Sequence, residues 1–483
     1  MSESKFVKEI ASKEEAFSQW YIDVVKKADM ADYTPVKGCM VIKPYGYALW
    51  ENMQQSLDRR LKDTGHKNAY FPLFIPESFL KKEAEHVEGF APEVAWVTHG
   101  GNEKLEERLA VRPTSEAIIG SLYAKWIHSW RDLPVLINQW ANIVRWEKVT
   151  RPFLRTTEFL WQEGHTAHKN LEEAEEETLK ILIIYKDYIE QDLAIPVIIG
   201  RKSNKEKFAG ALHTYTLEAL MGDGKILQAG TSHNLGQNFA QAFDIRFLDE
   251  NQQEQFVWTT SWGTSTRLVG GIIMVHGDER GLKMPPKVAP TQVVIVPIFF
   301  DATKQEVLQK AKEYKVLLEE KFRVELDDRD LYTPGWKFNE WEMKGVPVRI
   351  EIGPRDLANK QVTAVRRDKG NKVVVAEQDL VSTLERWMPD IQNNLFMQAR
   401  VRLEENIRFT DDYEKFKKII EEKRGFIKAY WCGDEQCEEQ IKIDTKATIR
   451  CIPLEEHEGK AEKGKCIYCG KESSTLVYFG RAY

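Results

Sequence analysis

Nowhere in the 483 residues does an apolar run approach the roughly 18 needed to cross a membrane. The opening stretch MSESKFVKEI lacks an apolar core of signal-peptide length. Both absences lead to the expectation of a soluble, cytoplasmic protein with no membrane partner. Cysteine is scarce as well: six in a chain of this length are too few for a disulfide scaffold. There is no excess of positive charge, since 75 acidic residues outnumber 69 basic ones and the net charge is -6. A global basic footprint for nucleic acid is therefore excluded, and any such contact must come from local patches. With 42% hydrophobic residues there is material for two or three domains, each with its own core.

The most informative stretch that is present covers residues 138–168, NQWANIVRWEKVTRPFLRTTEFLWQEGHTAH. Residues 138–147 and 158–165, rich in β-branched and aromatic types, flank a basic loop containing proline, the pattern of a long antiparallel hairpin. Alternation puts Arg145 and Glu147 on one side of the first strand, and Trp161, Glu163 and His165 on one side of the second. An arginine beside carboxylates and an indole suits a zwitterion next to a phosphate, because the guanidinium fork donates to either anion. A salt-bridged, solvated face is the alternative for a hairpin taken alone.

Along the chain, residues 6–25 read as an amphipathic helix, and residues 44–61 as a second that ends at Thr64-Gly65 with basic residues in its last turns. AYFPLFIP, residues 69–76, reads as a strand whose Pro72 confines it to an edge or interface, and so to a dimerisation surface. In RPTSE, residues 112–116, Thr114 or Ser115 can cap a helix that begins near Glu116, or Thr114 and Glu116 can stand at the mouth of a pocket. Residues 171–192 form a helix with an acidic first turn. Gln228, Thr231 and His233 then fall within six positions of one another, and residues 258–276 pass from a strand into a helix containing Gly270-Gly271, which implies close packing on a sheet. KMPPKVAP, residues 283–290, is the clearest linker. Alternating strands and helices beyond it indicate a separate α/β domain. The division expected is 1–283, 284–398 and 399–483.

Four of the cysteines make two short clamps, Cys432-x4-Cys437 and Cys466-x2-Cys469, with 28 residues between them. Two thiolate pairs on tight loops can close a tetrahedron on Zn²⁺, here a structural ion because no coordination position is left open. Cys451, between the clamps, can substitute for one ligand.

Together these segments resemble class II aminoacyl-tRNA synthetases, and closely the prolyl-tRNA synthetases of archaeal and eukaryotic type. The helix with the Pro72 strand is similar to motif 1, the hairpin with Arg145 to motif 2, and GTSTR, ending in Arg267, to motif 3. RPTSE, FLWQEGHTAH (residues 159–168) and GTSHNLGQNF (residues 230–239) are similar to elements of the prolyl branch, and the cysteine module with a chain ending in Tyr483 to the archaeal-type subgroup. The fold this implies is α+β: an antiparallel-sheet catalytic domain, an α/β anticodon-binding domain and a small zinc-containing C-terminal domain, in a homodimer.

The activity the resemblance implies is ATP-dependent attachment of L-proline to tRNA(Pro), through prolyl-adenylate and then transfer to the terminal ribose. Arg145 and Arg267 are implied as catalytic. Proline is implied to meet Thr114, Glu116, Arg145, Trp161, Glu163, Phe208, His233 and Ser261; ATP to meet Arg145, Glu147, Arg155, Gln228, Thr231, Ser265 and Arg267. Mg²⁺ is implied on the phosphates. Phe338, Glu342, Arg349 and Arg355 are the expected readers of the anticodon, by stacking and base-edge hydrogen bonds. Only residues 158–261 separate motifs 2 and 3, so no inserted editing domain is expected. A catalytically silent paralogue should have lost a motif arginine. A threonine enzyme needs a metal triad near the pocket, and only His165 and His168 offer ligands there.

Overall fold

The computed structural model describes residues 10–86, 93–454 and 463–483. Its centre is a sheet whose main strands are β1 (Val135–Val144), β2 (Glu158–His168), β3 (Val197–Arg201), β4 (His213–Leu220), β5 (Ile226–Gly236) and β6 (Trp258–Ser265), in the spatial order β3-β4-β5-β6-β2-β1, all antiparallel. Each strand is two-faced. In β4, Tyr215, Leu217 and Ala219 enter a hydrophobic core with Ile181, Leu182 and Tyr185 of the helix Leu171–Gln191 and Ile272 and Ile273 of the helix Arg267–His276. Thr214, Thr216 and Glu218 point the other way, which is what period-2 alternation requires of a sheet with one apolar layer behind it. Of the glycine pair, only Gly271 meets the sheet, where a β-carbon would lie 3.4 Å from Leu227 Cδ2; the close approach is at Gly270, where one would lie 2.6 Å from Leu154 Cδ2 in the hairpin loop.

Several element boundaries differ from the sequence reading. Among the described residues the first helix is Phe17–Lys27, with residues 10–16 not helical, and the part of the expected helix at residues 6–9 lies outside the described ones. The expected 69–76 strand is split. Lys67–Asn68 pairs in parallel with β1 at the sheet edge, whereas Phe74–Pro76 joins a separate three-stranded sheet with Glu103–Val111. Pro72 falls in the break, having no N–H to give to either ladder. β1 ends at Val144, before Arg145 and Glu147; Val144 N donates to the Arg112 carbonyl (3.1 Å), and Arg145 N still donates across the hairpin to the Thr157 carbonyl (2.8 Å).

The linker is not loose. Leu282, Met284, Val288 and Ala289 are fully buried, and Arg323 donates to the carbonyls of Pro286, Lys287 and Ala289 at 2.7–3.1 Å. The prolines remove donors from the segment, and the acceptors that are left are satisfied by that guanidinium together with the amides of Asn52 and Gln292. The domain beyond has a five-stranded sheet in the order Val324–Leu326, Val293–Pro297, Val348–Ile352, Gln361–Arg366, Lys372–Ala376, with its own core. The break expected at residue 398 falls inside the helix Leu380–Glu405. Nor is the last segment a separate appendage: its strand Thr448–Pro453 pairs with β3, so that its sheet and the central one form eleven continuous strands.

Candidate active site

The polar face of the central sheet encloses a cavity of about 490 Å³. Register explains its walls. Ile137, His165, Ser261, His233 and Thr214 lie in one row across β1, β2, β6, β5 and β4; Gln139, Glu163, Gly263, Thr231 and Thr216 in the next. The stretch WQEGHTAH divides by alternation: Trp161, Glu163 and His165 line the cavity, while Gln162 and Gly164 turn to the core, where Trp262 crosses Gly164 so closely that no β-carbon fits. Simple alternation would put Gln228 and Thr231, three apart, on opposite faces. A bulge corrects this, since Leu217 faces Gly230 but Glu218 faces Gln228, leaving Ala229 unpaired. Both side chains therefore line the cavity.

Thr114 and Glu116 enter from the start of the helix Glu116–Trp126. Neither Thr114 nor Ser115 caps that helix. Thr114 Oγ1 donates to Glu116 Oε2, and Ser115 Oγ to Glu163 Oε1, so both hydroxyls serve the site instead. Glu163 also accepts from Gln139 Nε2 (2.8 Å) and lies 3.1 Å from His165 Nε2. Burial works against ionising either member of that pair, but their contact prevails: the carboxyl is held below its ordinary range and the imidazole above. His233 behaves oppositely, pushed down to about 3 by burial and then by His165, so it is a neutral ring that packs 4.8 Å from Phe208 and bonds Thr214 Oγ1 through Nδ1 (2.9 Å).

Two guanidinium groups face these carboxylates, that of Arg145 open to solvent and that of Arg267 half-buried. Arg145 sits 5.4 Å from the Trp161 ring and 5.6 Å from Phe159, its Nε bonded to the Pro113 carbonyl (3.0 Å). Arg267, at the start of its helix, bonds the Leu154 carbonyl through Nε (3.2 Å) and is lowered to about 10 by burial and then by Arg145 and Arg155. Carboxylates at one end, an apolar slot of Trp161, Phe208 and His233, and arginines at the other can hold an ammonium, a small ring and a set of anions in that order.

Of the expected substrate residues, Thr114, Glu116, Arg145, Trp161, Glu163, Phe208, Gln228, Thr231, His233, Ser261, Ser265 and Arg267 all line this cavity. Glu147 and Arg155 do not. They pair with each other (2.7 Å) in a neighbouring cleft that meets the cavity at Arg145. The displacement follows from β1 ending early, which puts Glu147 in the loop. Lys202, Glu206 and Lys207 also line the cavity. They were missed because a lysine after a short strand carries no signal in sequence of which way it points.

The four clamp cysteines bring their Sγ atoms within 4.8 Å of one another, with Cys432 3.7 Å from both Cys437 and Cys469. A tetrahedron with Zn–S bonds of about 2.3 Å has edges of about 3.8 Å, so the donor set fits. Cys451 is elsewhere: a β-carbon on Gly200 would lie 2.8 Å from its own, in the seam between β3 and the C-terminal strand. In the five-stranded domain, Arg349 pairs with Glu342 (3.0 Å) and Glu351 (2.9 Å) and lies over the Phe338 ring at 4.1 Å. Arg355 is apart from this group, exposed on the helix Pro354–Ala358.

Residues 96–276 match the tRNA synthetase class II core domain (G, H, P, S and T), residues 292–387 an anticodon binding domain, and residues 413–483 the C-terminal domain of prolyl-tRNA synthetase. The proline–tRNA ligase of Natranaerobius thermophilus is 61% identical over 481 residues, 99% of both chains. That of Alkaliphilus oremlandii is 61% identical over 482 residues, and proline–tRNA ligase 2 of Clostridioides difficile 58% identical over 484, each covering all of this chain and 99% of the relative. All three organisms are bacteria, and the archaeal and eukaryotic type expected from the sequence is not shown by these relatives.

Proposed function

The chain belongs to the prolyl-tRNA synthetases of class II, and from that premise we propose that its central cavity makes prolyl-adenylate from L-proline and ATP and then charges tRNA(Pro). The observation that carries the reading is the convergence on one cavity of an ammonium-accepting end, a ring-sized apolar slot and two arginines. The secondary ammonium of proline has two N–H donors, which Thr114 and Glu116 accept, while Trp161, Phe208 and His233 surround its ring. A neutral His233 suits that slot, because a charged imidazolium would repel the ammonium. Glu163, fixed by Ser115, Gln139 and His165, and Ser261 close the site.

The carboxylate oxygen of proline attacks the α-phosphorus of ATP and pyrophosphate leaves. Arg145 bridges the two anions that must approach each other, and Arg267 holds the leaving phosphates, with Gln228, Thr231 and Ser265 on the nucleoside. Both guanidinium groups are anchored through Nε to backbone carbonyls, so they stabilise developing charge with little reorganisation. Glu147 and Arg155 act from the adjoining cleft on the outer phosphates. Mg²⁺ bound with ATP would supply neutralising charge at those phosphates, and Cys432, Cys437, Cys466 and Cys469 would hold a Zn²⁺ that braces the C-terminal module. A ribose hydroxyl of the tRNA end then attacks the prolyl carbonyl and AMP leaves.

The anticodon is read in the five-stranded domain, around Phe338, Glu342 and Arg349, with Arg355 at a distance from them. The chain works as a homodimer in the cytoplasm, its interface formed by the motif 1 helix and the edge around Pro72; no helix of the described residues is long and apolar enough to cross a membrane. No editing insertion is expected, since residues 169–257 are used in the helix Leu171–Gln191, β3 to β5 and their connections. The test is exchange of pyrophosphate with ATP driven by proline, compared with serine, threonine and alanine. Exchange no faster with proline than with serine would overturn the reading.

A further inference from the structure

One support of the cavity comes from the far end of the chain. Glu218 on β4 stands opposite Gln228 on the cavity face, directly beneath the bulge, and is completely buried. Its Oε2 accepts two hydrogen bonds from Arg450, from Nε at 3.0 Å and Nη2 at 2.7 Å. Its Oε1 accepts from Lys202 Nζ (2.7 Å) and Thr216 Oγ1 (2.8 Å). Lys202 lines the cavity and spends a second N–H on the backbone carbonyl of Arg450 (2.8 Å). Arg450 belongs to the strand Thr448–Pro453, which the C-terminal module adds to β3.

Two cations and one carboxylate leave a net positive charge in a place without solvent, since the three side chains are at most 5% exposed. As a stability device that is poor, because apolar side chains of similar volume would avoid the desolvation cost. As a device facing a polyanion it is apt: the unbalanced charge lies in the wall under the nucleotide end. Arg267 feels the same group, lowered chiefly by burial, with Arg450 adding to that shift and Glu218 opposing it.

We propose that Arg450 is a positioning residue of the nucleotide half of the cavity: through Glu218 and Lys202 it fixes the bulge that turns Gln228 and Thr231 inward, which makes the C-terminal module part of the active site. This rests on the assignment of that half to ATP. The experiment uses the full chain and compares KM for ATP and for proline in pyrophosphate exchange for Arg450→Met and Arg450→Lys. Arg450→Met raises KM for ATP about tenfold and leaves KM for proline within about twofold, and Arg450→Lys recovers most of the loss by keeping one charged donor. If Arg450→Met fails to fold because Glu218 is left with one partner fewer, the double variant Glu218→Gln, Arg450→Met keeps the net charge, and in it KM for ATP stays raised at least about threefold. A folded variant in which KM for ATP is unchanged, or in which both KM values rise together, overturns the inference. Loss of proline dependence in the unmodified chain would instead overturn the reading of the site.

Discussion

Replacing Arg145 by alanine is the sharpest test of how the cavity brings two anions together. Its Nε is committed to the Pro113 carbonyl, which leaves both Nη nitrogens for ligands. At about 4 Å and an effective dielectric near 20, one guanidinium is worth about 4 kcal/mol to a unit negative charge. Loss of one preorganised donor in comparable sites costs about 2.7–4 kcal/mol. The two estimates together correspond to a fall of about 10²- to 10³-fold in adenylate formation. Stability should change little, because the bond lost is to a backbone carbonyl and the substitution strands no ion-pair partner within hydrogen-bond reach. Arg145→Lys should fall in between, since one ammonium cannot hold Pro113 and span two anions. The assay is proline-dependent pyrophosphate exchange, with thermal unfolding followed by circular dichroism as the control for folding. An alanine variant that keeps a tenth or more of the exchange rate, or one that loses activity only because it melts, would refute the reasoning.

Two further tests bear on stability and metal. His276, bonded through Nε2 to the Leu193 carbonyl, is pushed down to about 3 by burial, chiefly, and by nearby cations. The unfolded chain therefore takes up a proton below about pH 6.5 that the folded chain refuses, and stability falls by about 1.4 kcal/mol per pH unit from that one group as pH drops from 6 to 4.5. His168 and His233, lowered to about 4 and about 3, add to the same slope, while His165, raised beside Glu163, acts above about pH 6.5, where the stability it contributes is lost as pH rises. Urea unfolding of His276→Gln at several pH values should show a slope shallower by about that amount; an unchanged slope would rule out the buried neutral imidazole. For the metal, Cys432→Ser should lose about one Zn²⁺ per chain by elemental analysis while Cys451→Ser keeps it, and equal metal content in both would show the donor set to be wrong.

The sequence alone carried much of this protein: period-2 alternation put Trp161, Glu163 and His165 on one face, the glycine pair at 270–271 announced a helix pressed on a sheet, and paired cysteines announced a donor set. Each of these signals is local, decided by a side-chain period or a spacing that neighbouring residues fix by themselves. That β1 ends at Val144, and that Glu147 and Arg155 pair in the next cleft, is marked by no period within residues 138–147; the strand end lies where Val144 meets the Arg112 carbonyl, more than thirty residues away in the chain. Gln228 and Thr231 share a face only because pairing with β4 leaves Ala229 out of register. That Ser115 bonds Glu163 rather than capping its own helix, that the proline-rich linker is a buried strap held by Arg323, and that Arg450 meets Glu218 across 232 positions are choices of tertiary packing. Pairing across a sheet and the burial of charge depend on which distant segment arrives beside a residue, and no periodicity within one segment records that arrival.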